Sequence, residues 1–431
     1  MHGSAQIAVP YESPLVVEVR DLLPRNDVAI EAVLVMARRQ PATLLRLLPG
    51  LLSRNRPQDE MLDEASNLDV TTLPYDEDFI QMLRDERSNG RQIILVAGSF
   101  PDTARRMARH LDVFDGMSTD GADASNARAS LVEHAPATSW LRAWSRALRV
   151  HQWLKNLLLL VPLIAAHKYI DPALLSGAVL AVLCFSLMAS AAYLMNDLLD
   201  IADDRHHPTK RHRPLAAGQV SIMAGFAAIP LLVAGSLALA VWLLPPRFSL
   251  CLAAYLILTL TYSLTLKRRM VVDVVSLAAL YTLRIVAGAI AIAVPLSFWL
   301  LAFSMFLFMS LALIKRYAEL FQVRATGWKE RARGRGYWAR DLEMIASLGT
   351  AAGYMAVMVL ALYVNDPVTA GLYRHPHYIW FACPLLLMWI SRVWMLAHRG
   401  HMNEDPLVFA VYDRVSLLLG ALLAGVFWLA R

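Results

Sequence analysis

Cysteine is scarce in this chain: Cys184, Cys251 and Cys383 are three in 431 residues, each inside an apolar run and none at a spacing that suits pairing or metal ligation. A disulfide scaffold is therefore not expected, and the thiols read as membrane packing residues. Charge is scarce too, at 18% of residues against 57% hydrophobic, a balance too apolar for an ordinary soluble protein. The scarcity is uneven. Residues 1 to about 140 hold no apolar run of the roughly 20 residues that cross a bilayer, whereas nearly all long runs lie beyond Leu154. "MHGSAQIAVPYESP" has neither a basic segment nor a short apolar core, so a cleaved signal peptide is not expected. The formal net charge is +6, yet the bases concentrate in short loops between apolar runs, where lipid headgroups and orientation account for them. Nucleic-acid binding is not expected.

What is present predicts two parts: a soluble α/β domain over residues 1–138 and a polytopic helical membrane domain over 139–431. Nine candidate spans fall at 156–168, 172–195, 222–244, 248–265, 271–294, 297–314, 343–364, 378–397 and 414–430, the first short and interrupted by Pro162. Lys and Arg sort between alternate loops, with Arg205 to Arg213, Lys267 to Arg269, Lys315 to Arg340, and Arg392 with Arg399 on one side. Only Arg247 and Arg374 lie in the intervening loops. Bases retained on the cytoplasmic side predict that these loops and the N-terminal domain face the cytoplasm of the inner membrane. In that domain "SPLVVEVRDLL" and "RQIILVAGSF" are strand-like, while "DEDFIQMLRDERSNG" and "PDTARRMARHLDVF" are helix-like. The basic, tryptophan-bearing "WLRAWSRALRVHQW" then leads toward the membrane as an interfacial amphipathic helix would.

The second span ends in "MNDLLDIADDRHHPTKRHRPLAAG". On one continuous helix Asn196, Asp197, Asp200 and Asp204 share a face. Like charges so close raise one another's pKa values unless a cation neutralises them, and all-oxygen ligands suit a hard ion such as Mg²⁺, which completes its shell with water and substrate phosphates. Acids followed by Arg205, Lys210 and Arg213 thus predict a site for a metal-bound diphosphate; the competing reading is a solvated helix end followed by a membrane-orienting loop. "TYSLTLKRRMVVDVV" adds Asp273 within an apolar span, and Arg284 sits near mid-span. Ionisable groups at such depth point to function. His206, His207 and His212 lack the spacing of zinc ligands.

"NDLLDIADD" resembles the N-D-x-x-D-x-x-x-D signature of the UbiA-type intramembrane prenyltransferases, at the end of the second helix where that superfamily carries it. The resemblance implies an all-α bundle of about nine helices that binds an isoprenoid diphosphate through Mg²⁺. Members acting on aromatic acceptors usually carry a further acid four residues into the second motif, where this chain has Leu277. "RVHQWLKN", "YSLTLKRRMVVD", "LRIVAGAIA", "KRYAEL" and "EDPLVFAVYDRVS" instead look like the polyprenyl-phosphate phosphoribosyltransferase branch, over residues 149 to about 417. That branch implies 5-phosphoribosyl 1-diphosphate as donor and a polyprenyl phosphate as acceptor, in a lipid-linked pentose precursor step. It implies Asp197, Asp200 and Asp204 as Mg²⁺ ligands with Asp273 as a further catalytic acid. Arg149, Gln152, Lys155, Asn196, Arg205, Lys210, Arg213, Tyr262, Lys267, Arg284, Lys315 and Arg316 are then the substrate contacts.

Some branch members carry an N-terminal HAD-type phosphatase module, and this N-terminal segment is similar in layout. Its hallmark residues are replaced: Glu18 and Arg20 stand where the two catalytic aspartates belong, Leu22 replaces the threonine, Ala97 the hydroxyl residue and Asn126 the lysine. The domain is expected to be a non-catalytic scaffold or a homo-oligomer contact. Two other functions stay open for the chain: prenyl transfer to an aromatic acceptor, opposed by Leu277 and the extra bases, and a non-catalytic transporter or scaffold, opposed by two acidic motifs on one membrane face.

Overall fold

The computed structural model describes residues 14–23, 26–40, 42–43, 56–118, 140–325, 336–366, 371–402 and 405–431. Asn126, Glu404 and the centre of the basic stretch at 326–335 lie outside them. The chain forms two compact units, Met1–Arg149 with Tyr193–Leu231 and Val150–Ala192 with Leu232–Arg431.

In the first unit β1 (Leu15–Glu18), β2 (Ile93–Val96) and β3 (Gly116–Ser118) form a parallel sheet in that order. Parallel strands require crossovers, and helices fill them: α1 (Val28–Arg39), α2 (Arg56–Ser66) and α3 (Glu77–Ser88) between the first two strands, α4 (Pro101–Leu111) before the third. Val17, Ile93 and Leu95 of the strands bury against Met36, Leu83 and Met107 of the helices, each contributing roughly 1.5–3 kcal/mol by removal from water. The strand expected over "LVVEVRDLL" stops after four residues, because the Asp21 carboxylate accepts the Glu18 N–H at 3.1 Å and turns the chain into one helical turn, Val19–Leu22. Arg20 ion-pairs with Glu18 beyond the strand end. Helix α4 has no cap of its own; buried Asp63 of α2 accepts its Asp102 and Thr103 amides at 2.8 and 3.1 Å. The amphipathic α5 (Trp140–Ala147) follows.

The long helices are α6 (Pro172–Leu199), α8 (Ile222–Leu243), α9 (Pro246–Leu264), α10 (Val272–Ala291), α11 (Phe298–Ala325), α12 (Leu342–Asn365) and α13 (Ala382–His398), with the short α7 (Ile201–His206) after α6. Seven helices are long and apolar enough to cross a membrane, or eight if the bent pair α14 (Pro406–Tyr412) and α15 (Arg414–Ala430) is one span. Nine spans were expected from the apolar runs, and the difference lies at the first. Residues Val150–Leu160 wind as a 3₁₀ helix before the short turn Val161–Ala165, so the apolar stretch Val150–Ala165 is below spanning length. It packs backbone to backbone on α10, where any Cβ at Gly288 would collide with Leu159. The last pair bends by 84° at Asp413. The Asp413 carboxylate accepts the Ser416 N–H at 2.8 Å and is gripped by Arg392 at 2.6 Å, which starts a new helix there. The core of this unit joins α10 to α13 through Tyr281, Phe308, Ile314, Leu360, Ile390 and Trp394.

Candidate active site

In the first unit α6 ends at Leu199 and α7 begins at Ile201, so the four polar residues do not lie on one continuous helix. Asp197 and Asp204, one on each side of the break, nevertheless meet the same arginine. Arg213 Nη1 lies 3.1 Å from Asp197 Oδ1 and 2.5 Å from Asp204 Oδ2, and Arg149 Nη2 lies 2.5 Å from the same Asp197 oxygen. Asp197 and Asp204 are buried, and burial pushes the Asp204 carboxyl above its usual range while Arg213 opposes the rise. Arg149 adopts φ +51°, a left-handed conformation that a non-glycine residue rarely takes and that clusters at functional sites. Asn196 and Asp200 are partly exposed beside this group, and Lys210 is exposed on the turn Lys210–His212.

Two carboxylate oxygens thus meet at one cationic atom, Arg213 Nη1. The full expected trio is not assembled, since among the described residues no three carboxylates, imidazoles or thiolates approach closely enough to hold a metal. Mg²⁺ is commonly bound through one or two carboxylates together with substrate phosphates, which is what these residues fit. Arg205 is placed differently from the expectation: it is sealed against Glu31 of α1 at 2.7 Å and does not stand free for a phosphate.

The second unit sorts the remaining candidates into three groups. Asp273 is fully buried, its Oδ2 2.7 Å from Arg316 Nε as an ion pair not aligned as a hydrogen bond, and its Oδ1 accepts from Tyr337 Oη at 2.6 Å. Arg316 also donates to Tyr262 at 3.0 Å and to Glu319. Three expected residues are thus brought together, with Asp273 buried as the counterion of Arg316 in this structure. Val271 beside it has φ +67°, strained for a β-branched residue, with its N–H donated to Tyr337 at 2.8 Å. In the next group Lys155 and Lys315 both donate to Asp405 Oδ2, at 2.7 and 3.1 Å, and Tyr281 donates to it at 3.0 Å. Lys315 keeps a third of its side chain exposed. Arg284 makes the third group: it donates to Asn156 at 2.9 Å and Tyr255 at 3.2 Å, lies over the Tyr255 ring at 4.9 Å, and is buried as a core cation. Gln152 and Lys267 are partly exposed.

Glu31, Asn156, Tyr255, Glu319 and Tyr337 were not foreseen as partners. Asn156 follows Lys155 within "RVHQWLKN" and was within reach of that motif; Glu31 carries no local signal. Asp405 was legible in "EDPLVF", though its role as counterion to two lysines was not.

Residues 157–427 match the UbiA prenyltransferase family. A protein of Sinorhizobium fredii named "Uncharacterized protein y4nM" is 31% identical, with 97% of this chain and 91% of that protein aligned. A decaprenyl-phosphate phosphoribosyltransferase of Mycobacterium tuberculosis is 33% identical over 64% of this chain and 89% of its own length. Among solved structures, a UbiA homolog from Archaeoglobus fulgidus bound to GPP and Mg²⁺ superposes with a TM-score of 0.50 at 19% identity, covering 66% of this chain and 99% of that one.

Proposed function

Because this chain belongs to the UbiA prenyltransferase family, we propose that its membrane domain, residues 139–431, transfers 5-phosphoribosyl from 5-phosphoribosyl 1-diphosphate to a polyprenyl phosphate and releases diphosphate, as a lipid-linked pentose precursor step. The observation that carries the reading is the cationic equipment. Arg149 and Arg213 accompany the acids in one unit, and Lys155 and Lys315 converge on one carboxylate in the other. A donor with two phosphorylated ends and a phosphorylated acceptor need more such groups than a prenyl diphosphate alone. The mycobacterial relative, a decaprenyl-phosphate phosphoribosyltransferase by name, supports the same acceptor class and transferred group.

In this reading Asp197 and Asp204, with Asp200 and Asn196 beside them, hold Mg²⁺, which when bound neutralises the donor's diphosphate and makes it a better leaving group. Arg149 and Arg213 turn from the acids to the diphosphate oxygens and stabilise the charge that develops on them. Lys155 and Lys315 exchange Asp405 for the lipid phosphate, fixing the oxygen that attacks the anomeric carbon; that C–O bond forms as the bond to diphosphate breaks. Gln152, Lys210, Lys267 and Tyr262 are further contacts for the donor or the lipid. Asp273, Arg284 and Arg316 hold helices in register. The α/β domain, residues 1–138, and the catalytic loops face the cytoplasm.

The test is incubation of membranes containing the protein with labelled phosphoribosyl diphosphate, polyprenyl phosphate and Mg²⁺. Labelled lipid is expected, absent with chelator and restored by Mg²⁺. Its absence, with turnover of a prenyl diphosphate onto an aromatic acid instead, would overturn the reading.

A further inference from the structure

Arg205 follows Asp204 directly, yet its charge is spent on the α/β domain. Its Nη1 and Nη2 donate to the two Glu31 oxygens at 2.8 and 2.7 Å, and its Nε donates to the Ala216 carbonyl at 3.2 Å. The two side chains are 6% and 1% exposed, so this is a buried two-pronged pair that fixes orientation as well as charge. One side chain therefore ties α7, the far limb of the loop and α1. Glu31 is itself set by Asn26, whose Nδ2 donates to it at 3.1 Å while its Oδ1 accepts the Ile222 N–H at 3.1 Å. That amide is one of the orphan donors at the start of α8, so the α/β domain adds to the cap that Ser221 Oγ makes by accepting the Ala224 N–H at 3.1 Å.

Two further contacts fall in the same stretch. His206 Nε2 meets Asp69 Oδ2 at 3.0 Å. Gly218, at φ +65°, lies flat against Pro74, where an added Cβ would stand 2.9 Å from the proline Cβ. The loop from Arg205 to Ile222 is thus held at its beginning, near its end and at its last residue. Asp204 immediately precedes it and Arg213 lies within it, and these two residues pair with each other at 2.5 Å. A buried ion pair is a poor device for simple tethering, since apolar packing would serve as well; its best-attested use is to specify register.

We propose that the α/β domain is a clamp in cis for the acidic loop, with Glu31, Asn26 and Asp69 as positioning residues that set how Asp197, Asp204 and Arg213 present themselves to the donor's diphosphate. The clamp rests on the phosphoribosyl-transfer reading for the identity of that diphosphate, while the contacts stand without it. Because these contacts grip the acidic loop, loosening them is expected to act on the donor and to leave the lipid acceptor's recognition alone.

The experiment compares the full chain with Glu31→Gln and His206→Ala in detergent micelles. It measures KM for phosphoribosyl diphosphate, KM for polyprenyl phosphate, Mg²⁺-dependent binding of inorganic diphosphate, and thermal unfolding. Glu31→Gln is expected to raise donor KM and weaken diphosphate binding about tenfold, as displaced binding groups do, with lipid KM unchanged. His206→Ala, at an exposed contact, is expected to move the same two quantities by a smaller factor with only a small fall in unfolding temperature, and it decides the matter if Glu31→Gln does not fold. Unchanged donor KM and diphosphate binding in the folded variants, or equal rises in both KM values, would overturn the clamp. If the wild type binds diphosphate and Glu31→Gln weakens that binding, but no phosphoribosyl lipid forms, the clamp holds and the transfer reading falls.

Discussion

Asp197 and Asp273 carry the same carboxylate and both belong to motifs that resemble a metal site, yet their surroundings differ. Asp273 has no exposed surface and answers Arg316, which is nearly as buried. Removing one partner of such a pair leaves an uncompensated charge and costs about 3–5 kcal/mol. Asp197 faces Arg149 and Arg213, which keep 21% and 26% of their side chains exposed and can reorient toward solvent or substrate. Asp273→Asn is therefore expected to lower thermal stability markedly in detergent, with transfer declining only as folded protein is lost. Asp197→Asn is expected to abolish transfer with a much smaller stability change. Full stability with transfer gone in Asp273→Asn would restore that residue to the metal. The motif spacing located both acids, but not the arginines that each faces, because those partners are distant in sequence. Arg205 makes the same point: its partner Glu31 lies 174 residues away, and a loop arginine beside a carboxylate motif looks like a phosphate ligand until that carboxylate is found.

Among elements, apolar length and period located the long helices well, because a run that must satisfy its backbone inside lipid has few alternatives. Three local breaks escaped. The 3₁₀ winding of Val150–Leu160 follows from close packing against α10 at Gly288, a tertiary cause. The bend at Asp413 follows from a side chain that caps and pairs, whereas the restart after Asp200 has no side-chain cap. The restart also makes α7 a separate element whose last residue touches the α/β domain. His206 is held above its ordinary value of 6.5 by the Ala202 carbonyl first and by Asp69 next. Asp69 is held below 3.8, chiefly by Thr71, with burial opposing and His206 assisting. A raised histidine stabilises the folded state fully below its ordinary value and loses that contribution as pH rises through its folded value. A depressed carboxylate contributes above its ordinary value and fails in acid. The contact should thus be strongest in mildly acidic solution. The difference in unfolding temperature between wild type and His206→Ala is expected to shrink as pH rises from about 6 to about 8, across the usual histidine range. A difference that grows over that interval would show that the pair is not the charged one.

At the scale of the whole chain, the division into a polar α/β part and an apolar helical part is written in the distribution of long hydrophobic runs, and the sheet's parallel order follows from strands separated by helices. The HAD-type descent proposed for that sheet is less legible, since every hallmark position is replaced and Asn126 lies outside the described residues. Orientation rests on a different signal. Arg205, Lys210, Lys267 and Arg399 lie in loops on one side by alternation of the spans, and bases close to span ends are retained on the cytoplasmic face. A 3₁₀ segment in place of a first full span leaves the alternation of the loops between α6 and α13 unchanged, and the side of the α/β domain is a matter for experiment. The α/β domain carries exposed trypsin sites such as Arg84 and Arg105, which makes the orientation measurable. Trypsin added to inverted inner-membrane vesicles is expected to remove the domain, while sealed spheroplasts protect it until they are permeabilised. Digestion in intact spheroplasts would place the domain outside, and with it the acidic loop to which Glu31 and Asn26 are bonded, beyond reach of a cytoplasmic phosphoribosyl donor.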